Sequence, residues 1–141
     1  MDACSRLCSL VEAIDAGAPT GWSTRRFLVE IGRAGAGVRP GPLWMLDAAT
    51  GGRNVIRGRG FAPEYDDATR GQARHFAGIV AVAARVGPDA ARWASIRIGG
   101  DRPDSADGRL TDAAVEFTRL LRSGGLPRSE AADWLRERLC A

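Results

Sequence analysis

The sequence predicts a mainly α protein, a compact bundle of about five or six helices with one short β-hairpin near residues 43–58. Three observations carry this reading. Apolar residues recur at helical spacing, most regularly in Leu110, Ala113, Ala114, Phe117, Leu120 and Leu121. Gly and Pro cut the periodic stretches, at Gly17 with Pro19, across 34–42 and at Gly124 with Gly125, into lengths ordinary for helices. The 141 residues, 45% of them apolar, can hide roughly two thirds of their unfolded surface in one core but are too few for two ordinary domains. Residues 1–141 therefore read as one globular helical domain.

In chain order, Leu7, Leu10, Val11 and Ile14 make a first helix over Asp2 to Ala16. Ser23 is placed to cap a second from Thr24 to about Ala34, with Phe27, Leu28 and Ile31 inward. Leu43 to Leu46 and Asn54 to Arg57 read as two brief strands around a turn at Asp47 to Gly52. A central helix follows an acidic turn and runs from Ala68 to Val86, with Asp66 or Asp67 as its N-cap and Phe76, Ile79, Val80 and Ala83 on its apolar face. Pro88 to Ile98 is a short helix with Pro in its first turn and Ala91, Trp93, Ala94 and Ile96 for packing. The 110–121 stripe is a further helix whose start is capped by Asp104 or Ser105. A last helix, opened by Pro127 or Ser129, turns Trp134, Leu135 and Leu139 to the core.

The string LDAATGG at 46–52 resembles the turns of β-propeller repeats that bind quinone cofactors. It occurs once and without a repeat, so the resemblance implies only a turn in which Asp47 and Thr50 bond local backbone.

All 20 basic residues are Arg, and the formal net charge is +3. Absent Lys beside abundant Ala and Gly suggests GC-rich bacterial coding, so Arg number alone does not argue for a polyanion partner. Within GGRNVIRGRGF, however, Arg53, Arg57 and Arg59 stand among open glycines, where guanidinium forks can hold phosphate. The simpler reading is a solvated Arg-bearing hairpin. No signal peptide opens the chain, and the longest apolar run, Phe76 to Ala84, is far below the roughly 20 residues of a membrane span. A cytoplasmic location is expected, with export by a route needing no signal peptide left open.

His75 is the sole histidine. It lies at the edge of the central helix's apolar stripe, where a histidine is usually a structural hydrogen-bonding group. The alternative is a general base. On one straight helix Asp67 and His75 would be separated by about 80° of rotation and about 12 Å of rise, so they cannot form a dyad there. A carboxylate would have to come from the second acidic stretch, GGDRPDSADGRLTD, which carries Asp101, Asp104, Asp107 and Asp112. That stretch fails the EF-hand pattern: counted from Asp101, its other aspartates fall at positions 4, 7 and 12 and its Gly at 8. A looser Ca²⁺ or Mg²⁺ site is conceivable there, although helix-start acids explain the same residues.

Cys4 and Cys8 share one face of the first helix and Cys140 ends the last one. Three buried apolar thiols in a reducing cytoplasm is the simplest account. Pairing of Cys4 or Cys8 with Cys140 is another, and a Cys3His zinc set with His75 a third.

The leading functional expectation is a small soluble bacterial helical interaction module, an adaptor, immunity or complex-forming protein whose partner is another protein. The second is a small hydrolase or toxin-like effector using His75 with Asp67, Asp104 and Asp107, with or without a metal. The third is a polyanion binder, nucleic acid included, through Arg53, Arg57 and Arg59. No cofactor is indicated and no metal ligands are assigned.

Overall fold

A computed structural model describes residues 1–100 and 102–141. Among these residues are seven α-helices: α1 (Ala3–Gly17), α2 (Thr24–Ala36), α3 (Trp44–Ala49), α4 (Gln72–Val86), α5 (Pro88–Arg97), α6 (Ala106–Ser123) and α7 (Ala131–Leu139). Short 3₁₀ turns at Pro63–Tyr65 and Arg128–Glu130 lie in the connections. No described helix is long and apolar enough to cross a membrane.

Local chemistry sets most of the boundaries. Asp2 caps α1 by accepting from the Ser5 amide at 2.8 Å, and Ser23 caps α2 by accepting from the Arg26 amide at 3.1 Å. Ser105, the second of the two candidates, caps α6 through the Gly108 amide at 3.0 Å. Gly37 and Gly124 end α2 and α6 at φ +68° and +82°, where a side chain would be strained.

The apolar faces of α2, α4 and α6 meet at the centre. Phe27, Leu28 and Ile31 of α2 oppose Phe76, Ala77, Val80 and Ala81 of α4, with Leu110, Ala114 and Phe117 of α6 closing the core, all buried. Gly35 of α2 faces Ala77 so closely that a Cβ there would lie 2.7 Å from the alanine's methyl. Phe117 joins Phe76 to Trp134 of α7, with ring centroids 5.5 Å apart in both pairs. α1 and α7 pack together at one side through Leu7, Val11, Leu135 and Leu139. Trp93, expected to help pack α5, is instead 59% exposed.

The hairpin expected near 43–58 is not formed, and no strand occurs among the described residues. Residues 44–49 coil into α3, and Thr50 Oγ1 donates to the Leu46 and Asp47 carbonyls. Beyond it, Gly51, Gly52, Gly58 and Gly60 have positive φ, which breaks any ladder. Backbone groups of this segment bond elsewhere: the Arg53 amide to Ala36 O at 2.6 Å, the Gly58 amide to Arg70 O at 3.2 Å, and Arg59 O to the Ala3 amide at 2.9 Å. α3 buries no residue of its own. It is held by the forked Arg39–Asp47 pair and by Arg85 lying over the Trp44 ring.

One antiparallel bridge, Phe61 to Cys140, lays the segment before the first 3₁₀ turn against the end of α7. The Ala62 amide donates to Leu139 O at 2.7 Å and the Ala141 amide to Gly60 O at 2.9 Å. Cys4 is joined to Cys140 by a disulfide across 136 positions, which in the loop-entropy view penalises the unfolded chain by about 5 kcal/mol.

Candidate functional site

Four polar side chains are buried among the described residues, Gln72, Ser95, Thr111 and Thr118, and two of them, Ser95 and Thr111, meet where α4, α5 and α6 converge. Burial of polar groups is costly unless they are hydrogen-bonded, so their concentration marks this junction. His75 stands beside them. Its Nε2 is 2.7 Å from Thr111 Oγ1, which lies 3.1 Å from Ser95 Oγ. Thr111 is 1% exposed, so its hydroxyl meets the imidazole from inside the protein.

One helical turn earlier on α4, Gln72 Nε2 donates to Asp67 Oδ1 at 2.7 Å and to Asp66 Oδ1 at 3.3 Å. The Gln72 carbonyl oxygen is buried with no hydrogen-bond partner. Asp67 also accepts from the Thr69 amide at 2.9 Å and the Thr69 hydroxyl at 2.6 Å. Its remaining partner is the side chain of Asp107 on the first turn of α6. The two acidic segments thus touch each other, carboxyl to carboxyl.

A hydrogen bond between two carboxyls requires one shared proton. Burial raises the affinity of Asp67 for protons, but the Thr69 hydroxyl and amide and the Asp107 contact outweigh it, leaving Asp67 below the usual carboxylate value. Asp66 is lowered too, first by the Arg59 guanidinium and then by the Ala68 amide. Neither aspartate caps α4, whose N-cap is Gly71. They close Asx turns on Ala68 and Thr69 instead, because the chain needs several residues to turn from the 3₁₀ segment into α4.

Of the expected catalytic set, Asp67 and Asp107 meet each other, and His75 lies against Thr111, one turn along α4 from the Gln72 that holds Asp67. Asp104 joins neither contact: its exposed side chain pairs with Arg102 at 3.5 Å, and its carbonyl accepts from Arg109. Asp101 lies outside the described residues. Gln72, Ser95 and Thr111 were not legible as site residues. The available signals were weak: Gln72 precedes His75 by three positions and Thr111 follows Asp107 by four, each pair sharing a helix face.

The arginines of the expected phosphate loop have separate attachments. Arg59 pairs with Asp66, Arg53 lies against Gly37, and the Arg57 carbonyl accepts from Arg6. The Cys3His set is not assembled, since His75 engages α6 while the cysteines lie between α1 and α7. Cys8 is the free thiol, 3.7 Å from Cys140 Sγ, and burial pushes it up to about 11. A cavity of about 210 Å³ lies elsewhere, between Trp22, Phe27, Leu121, Leu126 and Arg128.

Comparison with protein-family models, curated proteins and solved structures finds no match to this chain. The class that can be stated is therefore structural: a seven-helix domain, counted over the described residues, with a polar junction between α4, α5 and α6.

Proposed function

We propose that the chain is a small hydrolase-type domain whose acid–base site is the α4–α6 polar junction. The observation that carries this reading is the sole histidine hydrogen-bonded to the buried Thr111–Ser95 pair, one helical turn along α4 from Gln72, whose amide donates to the Asp67 carboxylate paired with Asp107. In it, His75 is the general base that activates water. Thr111, backed by Ser95, is the positioning residue that fixes the imidazole through Nε2. Asp107, paired with Asp67, is the acid that protonates a leaving group, and Gln72, buried behind it, holds Asp67 in place through its side-chain amide.

Hydrolysis of a panel of p-nitrophenyl carboxylate and phosphodiester substrates tests it. Turnover by the native chain should fall by about 100-fold or more in His75→Ala and in Asp107→Asn, with the helical spectrum retained. Turnover no greater than buffer across the panel, or undiminished in His75→Ala, would overturn the assignment.

An interaction module is the second reading, supported by the apolar side chains of and beside α3. Leu43, Met45 and Leu46 are 49%, 65% and 56% exposed, while Trp44 is the only apolar side chain of this segment packed on the core among the described residues. It predicts a protein partner whose capture is lost in Met45→Asp and kept in His75→Ala. Polyanion binding through Arg53, Arg57 and Arg59 has less support, because Asp66 already occupies Arg59. A cytoplasmic location fits either reading only if the Cys4–Cys140 pair is reduced there. Counting free thiols in freshly lysed cells would decide that point.

A further inference from the structure

We propose that Cys4, Cys8 and Cys140, once the Cys4–Cys140 bridge is reduced, form a three-thiolate site for Zn²⁺ between α1 and the end of α7. The three Sγ atoms lie within 4.8 Å of one another. A Zn–S bond of about 2.3 Å gives a tetrahedral site an S···S edge of about 3.8 Å. Cys8 and Cys140, at 3.7 Å, already span one such edge. Covalent closure of the chain requires two cysteines, and a third sulfur in contact with them adds nothing to it. In a metal set the same sulfur is the third ligand.

Opening the bridge does not release the ligands. Cys4 and Cys8 are fixed one turn apart on α1. Cys140 is held independently by its bridge to Phe61, which consists of the Ala62 amide on Leu139 O and the Ala141 amide on Gly60 O. Cys4 and Cys8 are fully buried, while Cys140 is partly exposed and gives an ion its way in. Soft thiolates favour Zn²⁺ over hard cations, and three of them leave one coordination position to a non-protein ligand.

The chemistry balances with a phosphine as reductant. The phosphine and one water become the phosphine oxide, and the disulfide becomes two thiols. Zn²⁺ then displaces one proton from each of the three thiols.

The full chain, reduced with a water-soluble phosphine under argon, is titrated with Co²⁺ as a visible stand-in and then with Zn²⁺. The expected result is one Co²⁺ per chain with thiolate-to-metal charge-transfer absorption, displaced by Zn²⁺, and no uptake by the unreduced chain. Cys8→Ser retains the Cys4–Cys140 pair, so its fold can be checked before reduction. After reduction it should bind at least about 10-fold more weakly, since losing even an outer-sphere partner costs that much. Absence of Co²⁺ uptake by the reduced chain, or equal uptake by Cys8→Ser, would overturn the site. If reduction unfolds the chain, recovery of helix on adding Zn²⁺ supports the proposal and failure to recover overturns it.

Discussion

The contact between α2 and α4 positions the helix that carries Gln72 and His75, and a single methyl group tests how tightly. In Gly35→Ala the new Cβ would stand 2.7 Å from Ala77 Cβ, about 1 Å inside ordinary carbon contact. Neither atom can swing away, because each is attached directly to a helix backbone. Overpacking of this kind costs about 1–3 kcal/mol, and the helix gains about 0.5–1 kcal/mol when Gly becomes Ala. The net expectation is a loss of about 1–2 kcal/mol, or roughly 3–8 °C in Tm for a domain of this size. Gly78→Ala on α4 is the control, because a Cβ there meets nothing within 4 Å. It should raise Tm by about 2–4 °C. Urea and thermal unfolding followed by far-ultraviolet circular dichroism would measure both, together with Ala77→Gly and the Gly35→Ala/Ala77→Gly pair. A favourable coupling of about 1 kcal/mol or more is expected in that cycle. If Gly35→Ala stabilises as Gly78→Ala does, or the two changes simply add, the close-approach argument is wrong.

Further outcomes follow from the same packing and charge arrangement. Thr111→Val removes the hydroxyl shared by His75 and Ser95 and should lower the urea-derived stability by about 1–3 kcal/mol, whereas Thr111→Ser should recover most of it. Asp47 is drawn from 3.8 to about 2 by the Arg39 side chain and amide, so its contribution is present above pH 4 and is lost as pH falls towards 2. The Tm gap between the native chain and Asp47→Asn should therefore close over that interval, and a gap independent of pH would contradict the pairing. Cys140→Ser should destabilise by about 2–5 kcal/mol under oxidising conditions, and by far less when both proteins are compared in reductant without metal.

The helices with long apolar stripes were legible because periodicity and capping agree over many residues. Ser23 and Ser105 did cap their helices, and Gly124 did end α6. Leu43 to Leu46 misled because a short apolar run has no distinguishing period. What makes it helical is distant: Asp47 gripped by Arg39 and Trp44 covered by Arg85. At the site, the one-dimensional pattern singled out His75, Asp67 and Asp107 but could not pair them. Thr111 sits inside an apolar stripe and resembles filler, while in the fold it is the group that meets the imidazole. Gln72 shares a helix side with His75 at the edge of the apolar stripe, yet it is 1% exposed, with its amide turned onto the acidic turn.

The bridge between Cys4 and Cys140 makes the oxidised polypeptide a closed ring for nearly all its length, with residues 59–62 wedged across the seam. A protease that cuts one exposed loop, such as the glycine turn at 51–52, would linearise that ring without separating any fragment. Mass would rise by a single water and the two pieces would part only on reduction. A nicked molecule could therefore keep its fold, and with it the His75 junction, behind an apparently intact band on a non-reducing gel.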